Sequence, residues 1–474
     1  MALGAYGAAL VAAVTWPFLL PGHAFALRDM MVFDSMALTR ASLGYGDLAA
    51  RNVPQDALLG IVPHPVLALR VIMLASAAAG AYYAARLGRS PWGKAAAMTV
   101  VLWNPFVVER CLQGQWSLVA AAWLLPAVAL ACAPAATLAH WLASLTPTGA
   151  LAAAAIARGR RGLVVSAVTC APWVVAGLLH ASASTASAAS SRLFAPRAEE
   201  LVGTLGAIAG LGGIWNGQAV PASRGAGFAV FGVALFVLLC LGWRAVPRRW
   251  LTLAGLGFAV ALASWSGVAD GLIGRVPGAG IFRDGQKFLL LCVPAFAAAA
   301  GALTPRLAAA ALGLAVLQVP DAPAALAPLA PTTVAVPDVD DRGRDVFFVD
   351  RPALLTRGDG LTVIDPAPKA MNVVESGLLL VDATVADAPS PRWSAARDAV
   401  GAGLDPVAPD AGAPDAGALD RLAALGIGVV VTPDGRVAET SAPARGLPPA
   451  GLALFALWCA APLAGVCRRS RGRR

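Results

Sequence analysis

Charged side chains are scarce in this sequence of 474 residues. Asp, Glu, Lys and Arg together make up 13% of it, whereas hydrophobic residues make up 58%. Soluble globular proteins carry about 25% charged residues, so the composition excludes an ordinary soluble enzyme. Several apolar runs are also about 20 residues long, which is enough to cross the hydrocarbon core of a bilayer. We therefore predict an all-α, multipass membrane protein.

Short signatures of catalysis and metal binding are missing as well. The sequence contains no P-loop, no GxSxG, no HExxH and no dinucleotide-binding fingerprint. Its seven cysteines include no CxxC pair, so neither a disulfide framework nor a zinc site is indicated. The four histidines are scattered, and His140 lies in an apolar segment, which is typical of a packed residue. Candidate residues therefore have to be sought in the polar connections between the apolar runs.

The apolar runs and the basic residues together predict a topology. Ten spans can be read, at about 3–20, 66–86, 95–108, 116–133, 163–181, 226–243, 251–272, 287–303, 307–320 and 448–467. Basic clusters lie at 86–94, 158–161, 244–249, 306 and 468–474. With the N-terminus inside, all of them fall in the cytoplasm, as the positive-inside rule requires. We predict a plasma-membrane protein with both termini cytoplasmic, whose positive charge contacts anionic lipids and not nucleic acid.

Three parts can be distinguished along the chain. Residues 1–320 hold most of the spans, and 134–157 would add two short helices, for about 10–12 membrane helices in all. Residues 321–447 are net acidic and contain the runs DVFFVD, LTVID, GLLLVD and IGVVVTP, which predict buried strands. This part is predicted to be a small α/β extracytoplasmic domain. Residues 448–474 are predicted to form a final transmembrane helix and a basic cytoplasmic tail.

The first outer connection, residues 21–65, is rich in charge for so apolar a chain. It contains Arg28, Asp29, Asp34, Arg40, Asp47, Arg51 and Asp56. Ionisable groups beside a bilayer are costly unless they are solvated, paired or used. We expect Asp29 and Asp34 to converge on one cavity, where a carboxylate can act as a general base towards a hydroxyl or hold a divalent cation. The alternative is an interfacial helix in which Arg28 and Asp29 pair with neighbours.

The next two outer connections differ in character. In WNPFVVERCLQGQWS, residues 103–117, Glu109 and Arg110 end one span, while Gln115 and Trp116 would hydrogen-bond to and stack on a sugar. The alternative is that Glu109 and Arg110 only terminate a helix. The connection around residues 194–225 is rich in glycine, which predicts a re-entrant or surface-lying segment, because such backbone is tolerated only against protein or a cavity.

Two cations in a fourth connection, VPGAGIFRDGQKF, oppose the positive-inside bias. Arg283 and Lys287 lie directly before a span on the outer side. A polyprenyl phosphate or a phospholipid head group would neutralise them, because Arg makes bidentate contacts with phosphate and Lys makes point-charge contacts. The alternative is internal pairing, of Arg283 with Asp284 or of Lys287 with an Asp of the first outer connection.

Together these connections resemble those of actinobacterial GT-C-type membrane glycosyltransferases. The resemblance rests on LRDMMVFDSMALTRASLGYGDLAARNVPQD, WNPFVVERCLQGQWS, LTPTGA, GGIWNGQAVPASR and FRDGQKF, and it covers residues 1 to about 320. It implies a polytopic protein that uses polyprenyl-phosphate sugars, arabinose or mannose, on the outer side of the membrane. It also implies an essential acidic residue in the first outer connection. That residue is most naturally Asp29, with Asp34 as the substitute.

The leading hypothesis from the sequence is a transferase that moves a sugar from a polyprenyl-phosphate donor to a glycan or glycolipid of the cell envelope. Asp29 or Asp34 would deprotonate the acceptor hydroxyl, and Arg283 with Lys287 would hold the donor phosphate. The residues expected to line the substrate site are Arg28, Arg51, Asp56, Glu109, Arg110, Gln115, Trp116, Arg283, Asp284 and Lys287. A divalent cation is the one cofactor left open. The alternatives are a carrier or flippase of a lipid-linked sugar and a catalytically silent scaffold of envelope enzymes.

Overall fold

The computed structural model describes residues 2–49, 52–179, 188–276, 278–381, 384–401 and 414–465, and most of them are helical. The α-helices are α1 Ala2–Thr15, α2 Gln55–Ile61, α3 Pro65–Ala85, α4 Pro91–Leu102, α5 Pro105–Leu112, α6 Trp116–Leu130, α7 Ala133–Ala143, α8 Pro147–Ile156, α9 Gly159–Leu179, α10 Ala188–Leu193, α11 Gly203–Ala209, α12 Ala222–Gly225, α13 Ala229–Cys240, α14 Arg248–Ser266, α15 Asp270–Ile273, α16 Val293–Ala302, α17 Pro305–Leu317, α18 Ala322–Ala325, α19 Ala367–Ala370, α20 Pro391–Ala399, α21 Ala416–Ala424 and α22 Pro449–Ala460. Short 3₁₀ helices are Trp16–Leu19, Gly217–Ala219, Trp243–Ala245, Ala279–Phe282, Gly285–Cys292, Ala327–Leu329 and Ala461–Gly465.

Six helical segments of the described chain are long and apolar enough to cross a membrane. They are Ala2–Leu19, Pro65–Ala85, Pro91–Leu112, Gly159–Leu179, Gly285–Ala302 and Pro305–Ala325. Six of the ten predicted spans fall on them, and three more fall on shorter apolar helices, Trp116–Leu130, Ala229–Cys240 and Pro449–Gly465. The span predicted at 251–272 falls on α14, and 134–157 forms the two short helices α7 and α8. The predicted basic tail, from residue 466 onward, lies outside the described residues.

Small side chains let the central helices pack closely. Nearly all side chains of α4, α6 and α16 are buried, and these helices are rich in alanine. A Cβ at Gly80 of α3 would lie 2.8 Å from the carbonyl oxygen of Trp123 in α6. Helices in a bilayer associate by such close contacts of small residues, since lipid offers no hydrophobic driving force between them.

The first outer connection begins with a β-hairpin and not with a helix. Strands β1 Ala24–Leu27 and β2 Met30–Phe33 pair antiparallel, with Leu27 opposite Met30, so Arg28 and Asp29 form a two-residue turn. All eight strand residues are buried. Two apolar runs separated by two residues are the spacing of a tight hairpin, and Arg28 takes the positive φ of 48° that such a turn requires. The alternative of an interfacial helix is therefore wrong.

The hairpin rests on the turn between α5 and α6. Asn104 caps α5, its side chain accepting from the amide of Val107 at 3.0 Å, and Pro105 begins the helix. At the other end of α5, Gly114 has a φ of 83°, and a Cβ there would lie 2.2 Å from the carbonyl oxygen of Leu27. Only glycine allows this approach, which brings the hairpin turn directly over the α5–α6 turn.

The described part of residues 321–447, named the outer domain because the sequence predicts that it lies outside the membrane, contains a small three-stranded sheet and two hairpins. Its strands are β3 Val346–Phe348, β4 Leu354–Thr356, β5 Thr362–Ile364, β6 Leu379–Val381, β7 Thr384–Asp387, β8 Val429–Val431 and β9 Val437–Glu439. β8 lies in the centre of the sheet, parallel to β3 and antiparallel to β9. Each of the four predicted runs contains one of these strands, although β6 is only partly buried. Helix α21, Gly426 with its positive φ of 71° and β8 follow one another along the chain.

The outer domain is joined to the first outer connection by hydrogen bonds and ion pairs. The amide of Arg28 donates to Thr362 at 2.8 Å, and the amide of Ile364 donates back to Arg28 at 3.0 Å. Three ion pairs add to this contact, Asp56 with Lys369, Arg40 with Asp345 and Asp47 with Arg392. Three of the seven charged side chains of the connection therefore hold the outer domain in place.

Replacing Asp345 by alanine should loosen this junction. The carboxylate is 1% exposed and accepts from Arg40, Arg392 and Arg445, so its loss leaves the buried Arg40 without a counter-charge. We expect the outer domain to lose about 3–5 kcal/mol of stability, measured by pulse proteolysis in urea. Asp340→Ala is the control, since the exposed Asp340–Arg342 pair should contribute less than about 1 kcal/mol. Equal losses in the two variants would contradict the assignment.

Candidate functional site

Asp29 lies exposed at the tip of the hairpin, above the α5–α6 turn. Its amide donates to the carbonyl oxygen of Gln113 at 3.1 Å. One of its carboxylate oxygens, Oδ2, accepts from Nε2 of Gln115 at 3.0 Å. The turn thus holds both the backbone and the side chain of Asp29, and leaves the carboxylate open to a ligand.

Asp34 lies at the opposite end of the same hairpin. The four residues of strand β2 lie between it and Asp29, which places the two Cα atoms roughly 15 Å apart. Asp34 pairs with the exposed His23 at 2.9 Å. This pair lines an open cleft of about 640 Å³ between the hairpin base and residues 331–336. The expectation that the two carboxylates converge on one cavity is therefore wrong, and Asp34 cannot replace Asp29 in one site.

Arg110 is the centre of the buried polar groups beneath Asp29. It is fully buried at the last turn of α5. Asp284 accepts from both terminal nitrogens, at 2.6 and 2.7 Å, and Gln115 Oε1 accepts from Nη1 at 2.9 Å. Gln286 Oε1 accepts from Nε at 2.9 Å and also from Nη2. Guanidinium has five N–H donors, and these five contacts use them all, so Arg110 has none left for substrate.

Asp284 is held in its charged form by the cations around it. Burial alone would raise its pKa, but the charge and hydrogen bonds of Arg110, with the charges of Lys287 and Arg283, hold the pKa below the ordinary value of 3.8. Asp284 is therefore the counter-ion of Arg110. Both of its oxygens accept from Arg110, and the pairing with Arg283, which was the alternative, is not found because Arg283 donates to Asp387.

Lys287 differs from its neighbours because its side chain makes no hydrogen bond or ion pair with any residue that the structure describes. It is partly exposed and begins the apolar segment Gly285–Ala302. Its ammonium group is within electrostatic reach of Asp284 and Asp29. A strongly hydrated cation in this position lacks a direct partner, and an anionic ligand would supply one.

Arg283, which was expected to hold phosphate beside Lys287, is engaged elsewhere. Its guanidinium donates to the two carboxylate oxygens of Asp387 on β7, at 2.5 and 3.2 Å. It also lies over the ring of Phe194, 4.2 Å from the centroid. These contacts fasten the outer domain to the membrane part and correct the sequence-based role.

Glu109 belongs to a second, deeper part of the network. Its carboxylate is fully buried and accepts from the amides of Gly213 at 3.3 Å and Ile214 at 3.0 Å. Glu199 accepts from the same Gly213 amide and pairs with the buried Arg224. These contacts hold the glycine-rich connection around residues 194–225 against α5, so Glu109 is structural here and does not line a substrate site.

Three other predicted binding residues do not line an open site in the described structure, and a fourth lies outside it. Arg28 is buried and donates to the carbonyl oxygens of Leu112 at 2.5 Å and Gln218 at 2.6 Å. Asp56 is buried against Lys369, and Trp116 is 2% exposed. The fourth, Arg51, lies outside the described residues.

Gln286, Glu199 and Arg224 also belong to this buried network, a role that was not predicted from the sequence. One available signal was their setting, because Glu199 and Arg224 are charges in a largely apolar, glycine-rich connection, where unpaired charges are costly. No group of three or more His, Cys, Asp or Glu side chains that could hold a metal ion is found among the described residues. A divalent cation at Asp29 would therefore need further ligands from substrate phosphate or water.

The site has to be interpreted from its own geometry. A comparison with protein-family models, curated proteins and solved structures found no match to this chain. At one end of the helical bundle lie the open carboxylate of Asp29, the Gln115 amide that holds it, and the nearby cation of Lys287, which has no direct partner in the described part of the chain. Such a combination can accept a proton at Asp29 and stabilise an anion at Lys287.

Replacing Asp284 by asparagine should lower the free energy of unfolding by the same amount at about pH 5 and at about pH 8. Because the pKa of Asp284 lies below 3.8, the group is ionised in the folded chain between about pH 5 and 8, and its contribution is lost only as the pH falls through the folded-state pKa. We expect Asp284→Asn to cost about 3–5 kcal/mol by thermal unfolding at both pH values. Glu200→Gln, at an exposed position, is the control. A cost that disappears near pH 5 would contradict an ionised Asp284.

Proposed function

We propose that this protein is a membrane glycosyltransferase that moves a sugar from a polyprenyl-phosphate donor to a hydroxyl group of a cell-envelope glycan or glycolipid. The observation that carries the proposal is that Asp29 has an open carboxylate and that Lys287, which lies within electrostatic reach of it, makes no side-chain hydrogen bond or ion pair with any described residue. Among the candidate residues that the structure describes, Arg28, Arg110, Arg283, Asp56 and Asp284 have structural partners, so we assign the chemistry to Asp29 and Lys287.

The proposed reaction is a displacement at the anomeric carbon. Asp29 accepts the proton of the acceptor hydroxyl as its oxygen forms a bond to that carbon. The bond between the anomeric carbon and the phosphate oxygen breaks, and the electron pair leaves with the polyprenyl phosphate. Lys287 stabilises the negative charge on the departing phosphate. The proton remains on Asp29 until it is released to water.

The proposed membrane arrangement follows from the charges of the sequence. The positive-inside rule directs the basic connections to the cytoplasm, so Asp29, Lys287 and the outer domain would face the outside of a GT-C-like bundle of about 10–12 helices, with both termini cytoplasmic. Lys287 begins an apolar helical segment, a position in which a phosphate can meet it while the polyprenyl chain stays in lipid.

Two other functions are favoured by particular observations but less strongly. A catalytically silent scaffold is supported by the three charged residues of the first outer connection that pair with the outer domain. A carrier or flippase would place its polar site near the middle of discontinuous helices, whereas Arg110 ends α5 and Asp284 precedes the segment Gly285–Ala302. A polar site confined to one end of the bundle favours a one-sided enzyme.

Asp29→Asn should abolish function while the matched variant Asp34→Asn retains it. Both substitutions remove one exposed carboxylate from the same hairpin, but only Asp29 faces Gln115 and Lys287. In a strain lacking the gene, we expect Asp29→Asn to restore envelope glycolipid labelling about 100-fold less well than the parent, at equal membrane levels of protein. Full restoration by Asp29→Asn would remove the proposed base.

Lys287→Gln should impair function without lowering the amount of protein. The side chain has no described partner, so its loss breaks no structural bond, but it removes the cation that stabilises the leaving phosphate. We expect labelling to fall about tenfold or more in the same strain. Lys94→Gln, on helix α4, is the control and should behave as the parent. Normal labelling by Lys287→Gln would contradict the proposed role.

A further inference from the structure

A hydrogen bond from Arg110 fixes the orientation of the side-chain amide of Gln115. A guanidinium group can only donate hydrogen bonds, so the Gln115 atom that lies 2.9 Å from Nη1 has to be the oxygen. The other end of the same amide is then the NH₂ group, and it lies 3.0 Å from Oδ2 of Asp29. The orientation follows from the hydrogen-bond network, which is how amide orientations are assigned.

Arg110 itself has no freedom to release this amide. Its bidentate contact with Asp284 and its two contacts with Gln286 hold the guanidinium plane along two edges. Both carboxylate and guanidinium are shielded from water, with side-chain exposures of 7% and 0%. A flipped Gln115 would present an NH₂ group to a cation and an oxygen to a carboxylate, which are two repulsive contacts in place of two attractive ones.

We propose that Gln115 is a positioning residue, which Arg110 sets so that its amide holds the carboxylate of Asp29 in place. The proposal rests on the proposed function in that Asp29 is the base of that reaction. Asp284, Arg110, Gln115 and Asp29 then form one chain of bonds, which leads from the buried network to the open site. Only the last bond, from Gln115 to Asp29, reaches the group that meets substrate.

Two substitutions separate positioning from a merely structural role. Gln115→Glu keeps an acceptor for Arg110 but removes the donor to Asp29, whereas Gln115→Met removes both. If Gln115 only satisfied Arg110, Gln115→Glu would function normally and Gln115→Met alone would fail. We expect both to lose at least about tenfold in glycolipid labelling, the effect of a lost hydrogen bond to a charged group, with Gln115→Glu present at the parent's level in membranes.

Infrared spectroscopy gives a readout that does not depend on activity. Subtracting the spectrum of Asp29→Asn from that of the parent isolates the carboxylate stretch of Asp29, and the same subtraction can be made in the Gln115→Glu background. We expect the band to move when the donor is lost. It should stay in place in Gln218→Glu, the control, which adds a charge at an exposed glutamine.

The outcomes distinguish this proposal from the proposed function. An unmoved band in Gln115→Glu, or full labelling by Gln115→Glu while Asp29→Asn fails, would overturn the positioning role and leave the transferase proposal standing. A moved band, together with full labelling by Asp29→Asn, would support the bond between Gln115 and Asp29 and overturn the transferase. A moved band with loss of labelling in both variants is the result expected here.

Discussion

The polar end of this protein depends on the pairing of Arg110 with Asp284. A charge removed from water next to lipid costs several kcal/mol unless an opposite charge and hydrogen bonds replace its hydration. Arg110 meets this requirement with five contacts that join the end of α5, the start of the segment Gly285–Ala302 and the α5–α6 turn. The hairpin that carries Asp29 rests on that turn. The position of the open carboxylate is therefore set by a buried ion pair that never meets substrate.

The same requirement separates structural charges from those that are free to act. Arg40, Asp47 and Asp56 pair with the outer domain, which makes that domain part of the site's support and not a tethered module. Of the charges assigned to the proposed site, the side chain of Asp29 is held by the Gln115 amide, and Lys287 has no direct partner among the described residues. We therefore identify the proposed site by two charged side chains, Asp29 and Lys287, that form no ion pair with a described residue.

Much of the fold could be predicted from the sequence, because long apolar runs and short strand-like runs are local signals. The partners of the charges could not, since pairing is decided by segments far apart in the chain, as for Arg283 with Asp387. The hairpin of β1 and β2 was not predicted, because strands of four residues are too short to show the two-residue alternation that indicates a β-strand. That error also brought Asp29 and Asp34 together, although opposite ends of a hairpin keep them apart.

The most direct test of Asp29 as the base is chemical rescue of Asp29→Ala in isolated membranes. A small carboxylate such as formate can enter the space left by the side chain and accept the proton in its place. We expect added formate to raise glycolipid labelling several-fold from the low level of Asp29→Ala, and to leave Asp34→Ala, which should be active from the start, unchanged. Parent-like labelling by Asp29→Ala without formate would contradict general-base catalysis by Asp29.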